Sequence, residues 1–194
     1  ELSGAGRCWV IDPIDGTRNY ARAVPTYSIS VALMENGRPV VGVIHDPSNG
    51  YSYSASAGGG MWLNDQRVPR GEPPPFKDVL IASPSGQRHA LPCVTRQWLN
   101  RYKLRNIGST ALHLAYMAAG GYDAVLLTEC HLWDVAAGLL LGQEVGAEVR
   151  TLDGTSLFPI NLLRDGHREI SLLTARPRIL ERLWSELQAA RNDG

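Results

Sequence analysis

A change of pattern at residues 69–76 most constrains the fold that this chain can adopt. Before this Pro-rich segment, PRGEPPPF, apolar residues alternate with polar ones at the period of β-strands, and turn dipeptides such as Asn36-Gly37 separate the strands. After it, strand-like segments alternate with helical patterns that end at glycines. The sequence therefore predicts an antiparallel meander followed by a strand-and-helix half, with the boundary in the Pro-rich connector.

The two halves differ in the elements that they are expected to contain. Strands of the first half are predicted at residues 8–12, 27–33, 40–44 and 51–56, and a Gly-rich hairpin at 57–68. The second half has predicted strands at 79–83, 123–127 and 170–175, and predicted helices at 91–100, 111–119, 134–145 and from Pro177 onward. Sheets with helices stacked on them form an α/β (α+β) sandwich. We divide the chain into residues 1–75 and residues 76–194.

Composition excludes several classes of function. The chain has 194 residues, of which 44% are hydrophobic, and 19 basic residues balance 19 acidic ones. We therefore expect no nucleic acid and no membrane as partners, because neither a basic field nor a run of apolar residues long enough to span a bilayer is present. Three widely spaced cysteines, Cys8, Cys93 and Cys130, predict neither a disulfide framework nor a structural zinc site, and they favour a cytoplasmic location.

Two aspartates flank a rigid turn in the segment DPIDGT, residues 12–17. Pro13 fixes its own backbone angle and favours an extended Asp12, so we expect a strand that stops at Asp12. The turn can aim the carboxylates of Asp12 and Asp15, with the Ile14 carbonyl, into one small volume. Hard oxygen ligands suit Mg²⁺, and like charges this close are costly unless a cation lies between them.

Gly16 and Thr17 follow the second aspartate directly. If a helical turn begins there, its free backbone N–H groups can hold a phosphate oxygen, and the Thr17 hydroxyl can orient a water molecule. Structural alternatives exist for both acidic segments. Asp-Gly is a common turn dipeptide, and Asp134, which begins an apolar helical pattern, is typical of a helix N-cap. Taken singly, each segment favours the structural interpretation.

Taken together, the segments resemble the paired signatures of the inositol monophosphatase family, the Mg²⁺-dependent, lithium-sensitive sugar-phosphate phosphatases. The first signature in that family reads D-P-[ILV]-D-G-T-x-N-[FY], and residues 12–20 match every defined position. The second reads W-D-x-A-A-G with a later glutamate, matched by residues 133–138 and Glu144. Residues 108–124 also resemble the helix and strand that lie between the two signatures. The resemblance implies a layered αβαβα sandwich. A match to two separate signatures is a much stronger signal than a match to a single motif.

The resemblance implies a set of metal ligands. In this scheme Asp12 bridges two metal ions, Asp15 and Asp134 hold the second ion, and the Ile14 carbonyl contributes to the first. The family also carries a Glu-Glu pair ahead of the first signature, and its first glutamate binds metal and helps to activate water. Glu1 is either that glutamate or the second of the pair; we favour the former.

The resemblance also implies how substrate is held. Gly16 and Thr17 bind the phosphate through backbone N–H groups, and Asp15 and Asp134 contact the substrate. Catalysis is assigned to Thr17, Asp15 and Glu1, with Thr17 helping to position the attacking water. The mechanism implied is in-line attack of a metal-activated water on phosphorus, without a covalent enzyme intermediate.

Two departures from the family pattern affect these expectations. The N-terminal helices of the family would precede Glu1, and if they were absent we would expect an uncovered apolar sheet face and aggregation or partner binding. In inositol phosphatases a glutamate seven residues before the second-signature aspartate contacts sugar hydroxyls, and Leu127 occupies that position here. Since leucine cannot accept those hydrogen bonds, the sequence supports a phosphatase more firmly than it supports inositol as the substrate.

These features predict a Mg²⁺-dependent phosphomonoesterase that acts on a small sugar or polyol monophosphate such as inositol monophosphate. The expected partner is a small phosphorylated metabolite, and the resemblance implies a homodimer. Two alternatives stay open. One is a phosphatase of the same superfamily that acts on histidinol phosphate or a nucleotide 3′-phosphate. The other is a catalytically inactive relative that binds a phosphorylated ligand.

Overall fold

The computed structural model describes residues 6–72, 77–83 and 93–192. Two β-sheets organise these residues. The first sheet is an antiparallel meander in which every strand pairs with its neighbours along the chain, as the alternation predicted. Its six strands are β1 (Arg7–Asp15), β2 (Ser28–Glu35), β3 (Arg38–Asp46), β4 (Tyr51–Ser56), β5 (Gly60–Leu63) and β6 (Gln66–Val68).

The second sheet mixes parallel and antiparallel pairs. Its five strands are β7 (Leu80–Ala82), β8 (Lys103–Arg105), β9 (Ala124–Cys130), β10 (Glu148–Thr151) and β11 (Ile170–Ala175). Their order across the sheet is β10-β11-β9-β7-β8, with β7 parallel to both β8 and β9. The short edge strands β8 and β10 were not predicted. The connector between the halves lies partly outside the described residues, so a division at residue 75 stays a prediction.

Within the described residues, six helices connect and cover the sheets. They are α1 (Thr17–Tyr20), α2 (Cys93–Arg101), α3 (Thr110–Ala118), α4 (Leu132–Glu144), α5 (Leu162–Asp165) and α6 (Pro177–Asn192). Helices α3 and α4 lie between the two sheets and form one core cluster with both, whereas α2 and α6 pack on the far face of the second sheet. The layers therefore run sheet, helices, sheet, helices, which confirms the predicted α/β sandwich. No helix in the described ranges is long and apolar enough to cross a membrane.

The outer face of the first sheet contrasts with these packed layers. Large apolar side chains there are well exposed, with Trp9 at 61%, Ile11 at 54% and Ile29 at 40%. The opposite face of the same sheet is in the core, where the backbones approach closely. A Cβ on Gly42 of β3 would lie 3.0 Å from the Cα of Ala137 in α4. The sheet is therefore covered on its inner face and carries an apolar outer face.

The half-buried strand predicted from residues 27–33 is β2, and its buried face carries the small residues. Ser28, Ser30 and Ala32 are at most 1% exposed, whereas Ile29 points outward. Met34, further along the same face of β2, is also fully buried, so this face is small only over residues 28–32, where apolar size does not identify it.

The prediction that the first strand stops at Asp12 is wrong. Strand β1 continues to Asp15, and its pairing with β2 shifts between these two residues, from Asp12 opposite Ser30 to Asp15 opposite Ser28. Three steps along β1 thus match two along β2, which defines a bulge. Pro13 has no N–H to give to the ladder, and the bulge absorbs it so that pairing resumes at Asp15.

Candidate metal and phosphate site

Three aspartates from distant parts of the chain meet at the end of β1. Asp12 and Asp15 flank the bulge, and Asp134 lies in the first turn of α4, which follows β9 of the other sheet. One carboxylate oxygen of each lies within 4.8 Å of the corresponding oxygens of the other two. The structure therefore brings together the three aspartates that the two sequence signatures predicted as metal ligands.

The three carboxylates destabilise one another in the absence of a cation. Burial, and then the nearby charges of Asp15 and Asp12, raise the pKa of Asp134 to about 7. Burial also raises the pKa of Asp15, which is only 7% exposed, although hydrogen bonds from Ser109 and Ala111 oppose this effect. Like charges held this close, with one of them buried and two half-buried, favour a cation that compensates them.

Asp15 is held by the N-terminus of α3. Its Oδ2 accepts hydrogen bonds from the Ser109 hydroxyl, from the Ala111 amide at 2.8 Å and from the Ser28 hydroxyl at 3.4 Å. Its Oδ1 accepts one long bond, from the Thr110 amide at 3.3 Å. The sequence analysis did not find the two serines. Ser109 could have been predicted as a helix N-cap, because it directly precedes a helical pattern. Ser28 shows no such signal, because it is only one residue of an alternating strand pattern.

The other two carboxylates each accept a local backbone bond. The Ile14 amide donates to Asp12 Oδ1 at 3.0 Å within the bulge, and the His131 amide donates to Asp134 Oδ2 at 2.7 Å. His131 is the N-cap residue of α4. Asp134 is thus not the N-cap of this helix; it lies three residues further on and reaches back to the cap, as in a capping box.

The phosphate-binding turn predicted at Gly16 and Thr17 leads into α1. Gly16 has a φ of 85°, and a Cβ there would lie 3.0 Å from the Thr26 carbonyl oxygen, so the position favours glycine on both counts. Thr17 is the exposed first residue of α1. The Asn19 side-chain amide donates to the carbonyls of Thr26 and Ile107 at 2.7 Å each, which ties this turn to the loop before α3.

Aromatic rings border the acidic cluster on the α4 side. The rings of His131 and Trp133 stack with centroids 4.5 Å apart, and His167 meets the indole edge-on at 5.8 Å. The His131 Nδ1 lies 3.8 Å from Asp134 Oδ2. His131 lies only three residues before Asp134 in the sequence. The structure adds His167, which approaches through the loop after α5.

Two further predictions concern Glu1 and Leu127. Glu1 lies outside the described residues. Leu127, at the position of the family's sugar-contacting glutamate, is 3% exposed and belongs to the core. Glu129, two residues on, has a φ of 56° at an irregularity in the pairing of β9 with β11. The backbone at the end of β9 is therefore distorted just before it reaches His131.

The fold is a layered α/β sandwich, and its three-aspartate cluster could hold a metal ion. The chain belongs to the inositol monophosphatase family, whose sequence model matches residues 1–191. This result confirms the family resemblance stated from the two signatures.

Individual relatives agree with the family match. The Nus factor SuhB of Xylella fastidiosa is 40% identical over 152 residues, which are 75% of this chain and 55% of that protein. The inositol-1-monophosphatase of Mesorhizobium japonicum is 36% identical over 158 residues, 75% of this chain and 57% of that protein. The chain thus spans little more than half the length of these two relatives.

Solved structures confirm the fold. The IMPase of Thermotoga maritima superposes on 100% of this chain and 72% of its own, with a TM-score of 0.81 and 27% sequence identity. The described layers therefore correspond to an IMPase-type fold.

Proposed function

We propose that this protein is a Mg²⁺-dependent phosphomonoesterase that hydrolyses a small sugar or polyol monophosphate such as inositol monophosphate. The observation that carries the proposal is the meeting of Asp12, Asp15 and Asp134 within 4.8 Å at the junction of the two sheets. Membership of the inositol monophosphatase family supports the reaction class, and the inositol-1-monophosphatase named among its relatives supports the type of substrate.

The donor set fits a hard divalent cation. The three side chains offer carboxylate oxygens only, which are the ligands that Mg²⁺ prefers. Burial and the neighbouring carboxylates raise the pKa of Asp134 to about 7, which supports a cation as the partner of its ionised form. We propose that Asp12, Asp15 and Asp134 hold Mg²⁺, with the Ile14 carbonyl and Glu1 as the further ligands that the resemblance implies.

The proposed reaction divides its roles between the metal and the residues of the chain. When bound, Mg²⁺ supplies a more acidic water and neutralises charge on the leaving oxygen. The backbone amides of Gly16 and Thr17 hold the phosphate, and the Thr17 hydroxyl orients the attacking water. Asp134 lies in the first turn of α4, so the positive end of the dipole of this helix faces the anionic substrate. A homodimer remains a prediction from the resemblance, and a cytoplasmic location remains a prediction from the cysteine pattern.

The test is metal-dependent phosphate release from a panel containing inositol 1-phosphate, glycerol 2-phosphate, histidinol phosphate and adenosine 3′-monophosphate. We expect release with Mg²⁺, none with EDTA, and none from Asp12→Asn. Leu127 cannot accept a hydrogen bond from a sugar hydroxyl, so the relative rates with these substrates indicate which class of phosphate ester the protein prefers. Preference for histidinol phosphate or the nucleotide would replace the polyol substrate by one of the superfamily alternatives. Release that is equal with and without Mg²⁺ would contradict the proposal.

A second candidate function is binding without turnover. It is favoured by the name of the Xylella fastidiosa relative, which is Nus factor SuhB. In this role the acidic site and the Gly16 turn would bind a phosphorylated ligand as part of a partner-binding protein. Calorimetric binding of the panel compounds without any phosphate release would favour this candidate.

A further inference from the structure

The contacts of Asp15 point to a positioning role for two buried serines. Ser28 and Ser109 are 0% and 1% exposed, and their hydroxyl oxygens lie 3.2 Å from each other. Both hydroxyls reach the same carboxylate oxygen, Oδ2 of Asp15. They come from elements 81 residues apart, since Ser28 begins β2 and Ser109 precedes α3. The pair therefore joins the two halves of the chain behind one predicted metal ligand.

Counting donors and acceptors shows what the serines do. A serine hydroxyl has one proton to donate and lone pairs with which to accept. Ser109 donates its proton to Asp15 and accepts from the Leu112 amide of α3 at 3.2 Å. The Leu112 amide, which has no partner within the helix, thus polarises the Ser109 hydroxyl. The hydroxyl in turn stabilises the negative charge of the Asp15 carboxylate.

The two oxygens of Asp15 are consequently different. Oδ2 accepts three hydrogen bonds, from Ser109, Ser28 and Ala111, and so has no lone pair left for a cation. Oδ1 accepts a single long bond, from Thr110 at 3.3 Å. This difference leaves Oδ1 as the oxygen that can bind a metal.

We propose that Ser109, assisted by Ser28, is a positioning residue that fixes the Asp15 carboxylate so that Oδ1 faces the cation site. The inference rests on the proposed metal-dependent function. Partners of this kind, one bond removed from the metal, orient the ligand and typically change metal affinity about 10- to 100-fold when they are lost. The position of α3 is thereby coupled to the affinity for the metal.

A purely structural role for Ser109 makes a different prediction. Ser109 is the N-cap of α3, and glycine caps helices nearly as well as serine, whereas alanine does not. If Ser109 only caps the helix, Ser109→Gly should behave like the wild type and Ser109→Ala should only lower the melting temperature. If Ser109 positions Asp15, both variants lose the hydroxyl and both should bind metal more weakly.

The experiment is titration of Mg²⁺ by isothermal calorimetry, with the metal dependence of phosphate release as a second readout. We expect about tenfold weaker Mg²⁺ binding for Ser109→Ala and Ser109→Gly. Ser28→Ala should show an effect of about threefold, since its bond to Asp15 is long. The conservative variant Ser109→Thr keeps the hydroxyl and should restore the affinity to within about twofold. At saturating Mg²⁺ the kcat of each serine variant should approach that of the wild type.

Thr174→Val is the matched control, because it removes a buried hydroxyl that donates to the Glu148 carbonyl at 2.8 Å, in the second sheet. It should lower the melting temperature without changing Mg²⁺ affinity. Unchanged Mg²⁺ affinity in Ser109→Ala and Ser109→Gly would overturn the positioning role and leave the proposed function intact. Failure of the wild-type protein to bind Mg²⁺ would instead overturn the proposed function together with this inference.

Discussion

The two ends of α4 carry carboxylates in opposite situations, a buried one at Glu144 and a half-buried one at Asp134. Near its C-terminal end, Glu144 is 6% exposed and accepts the backbone amides of Gly58 and Gly60, both at 2.9 Å. Each carboxylate oxygen of Glu144 thus has a donor from the chain, supplied by the turn between β4 and β5. The charge of Glu144 is compensated from within the protein.

At the N-terminal end, Asp134 accepts a single backbone bond, from His131, and faces Asp12 and Asp15. Burial and these neighbouring charges raise its pKa to about 7. The same helix therefore carries one acid that the fold satisfies and another that it leaves to be satisfied from outside. The comparison suggests a general rule. An acid surrounded by other acids indicates a functional site, whereas an acid bonded to backbone amides indicates a structural role.

The largest expected effect separates the two acids by activity. Asp134→Asn should reduce Mg²⁺-dependent phosphate release about a thousandfold, because a lost metal ligand removes several kcal/mol of transition-state stabilisation. Glu144→Gln, the matched change at the other end of the helix, should keep activity within about threefold, since a side-chain amide retains one acceptor oxygen for the glycine amides. Steady-state assays of both variants test this contrast. Equal losses in the two variants would remove the distinction between the ends.

The second prediction concerns the pH dependence of stability without metal. The pKa of Asp134 lies at about 7 in the folded protein, above its ordinary value near 4, so the folded state binds more protons than the unfolded state between these values. The free energy of unfolding in EDTA should therefore fall from about pH 4 to pH 7, by roughly 2–4 kcal/mol, and then level off.

Thermal denaturation in EDTA should show this fall as a decrease of about 5–10 °C. Excess Mg²⁺ at pH 8 should recover most of the loss, since a bound cation stabilises the ionised carboxylates. Asp134→Asn, which cannot ionise, should show a much flatter profile. A wild-type profile in EDTA that rises over this range would contradict the assignment of unbalanced charge to Asp134.

A third prediction tests the satisfied end of α4. Glu144→Ala leaves the amides of Gly58 and Gly60 without an acceptor, so the free energy of unfolding should fall by about 2–3 kcal/mol. Mg²⁺ affinity at the opposite end of the helix should stay within about twofold, as for other sites that share no partners. Urea denaturation and calorimetry measure the two quantities. A large change in Mg²⁺ affinity would show that the ends are not independent.

The smallest effect on the fold is expected on the outer face of the first sheet. Ile11 lies one residue before Asp12 on β1 but faces outward and is 54% exposed. Ile11→Thr should reduce self-association measured by sedimentation and change the free energy of unfolding by less than about 0.5 kcal/mol. If self-association is reduced in this background, the variants at the two ends of α4 can be compared in the same oligomeric state. Unchanged association would indicate that the exposed apolar face is not what drives it.

The sequence predicted the acidic centre better than its surroundings. Asp12 and Asp15 could be proposed because two carboxylates flank a rigid turn, whereas Asp134 joined them through the resemblance of the paired signatures. Ser28 could not, since its role depends on Ser109 approaching from another element, and a serine in an alternating strand carries no such signal. The support of a site arises from tertiary contacts, which residue types alone do not encode.

The fold shows the same division. Long strands and helices with clear periodicity were predicted, whereas β8 and β10 are too short, at three and four residues, to show a period. Pro13 was interpreted as the end of a strand because proline interrupts the hydrogen-bonded ladder. A bulge solves that problem locally, and only the register against β2 reveals it.

The strand orders of the two sheets have a consequence for how the molecule folds. Every pair in the first sheet joins neighbours along the chain, whereas β11 must insert between β9 and β10 to complete the second. Contacts between nearby residues form fastest, so we expect the hairpin ladder bearing Asp12 and Asp15 to fold early and Asp134 to arrive later with α4. Acquisition of cation affinity during refolding would then follow the docking of the two halves, not the formation of the first sheet.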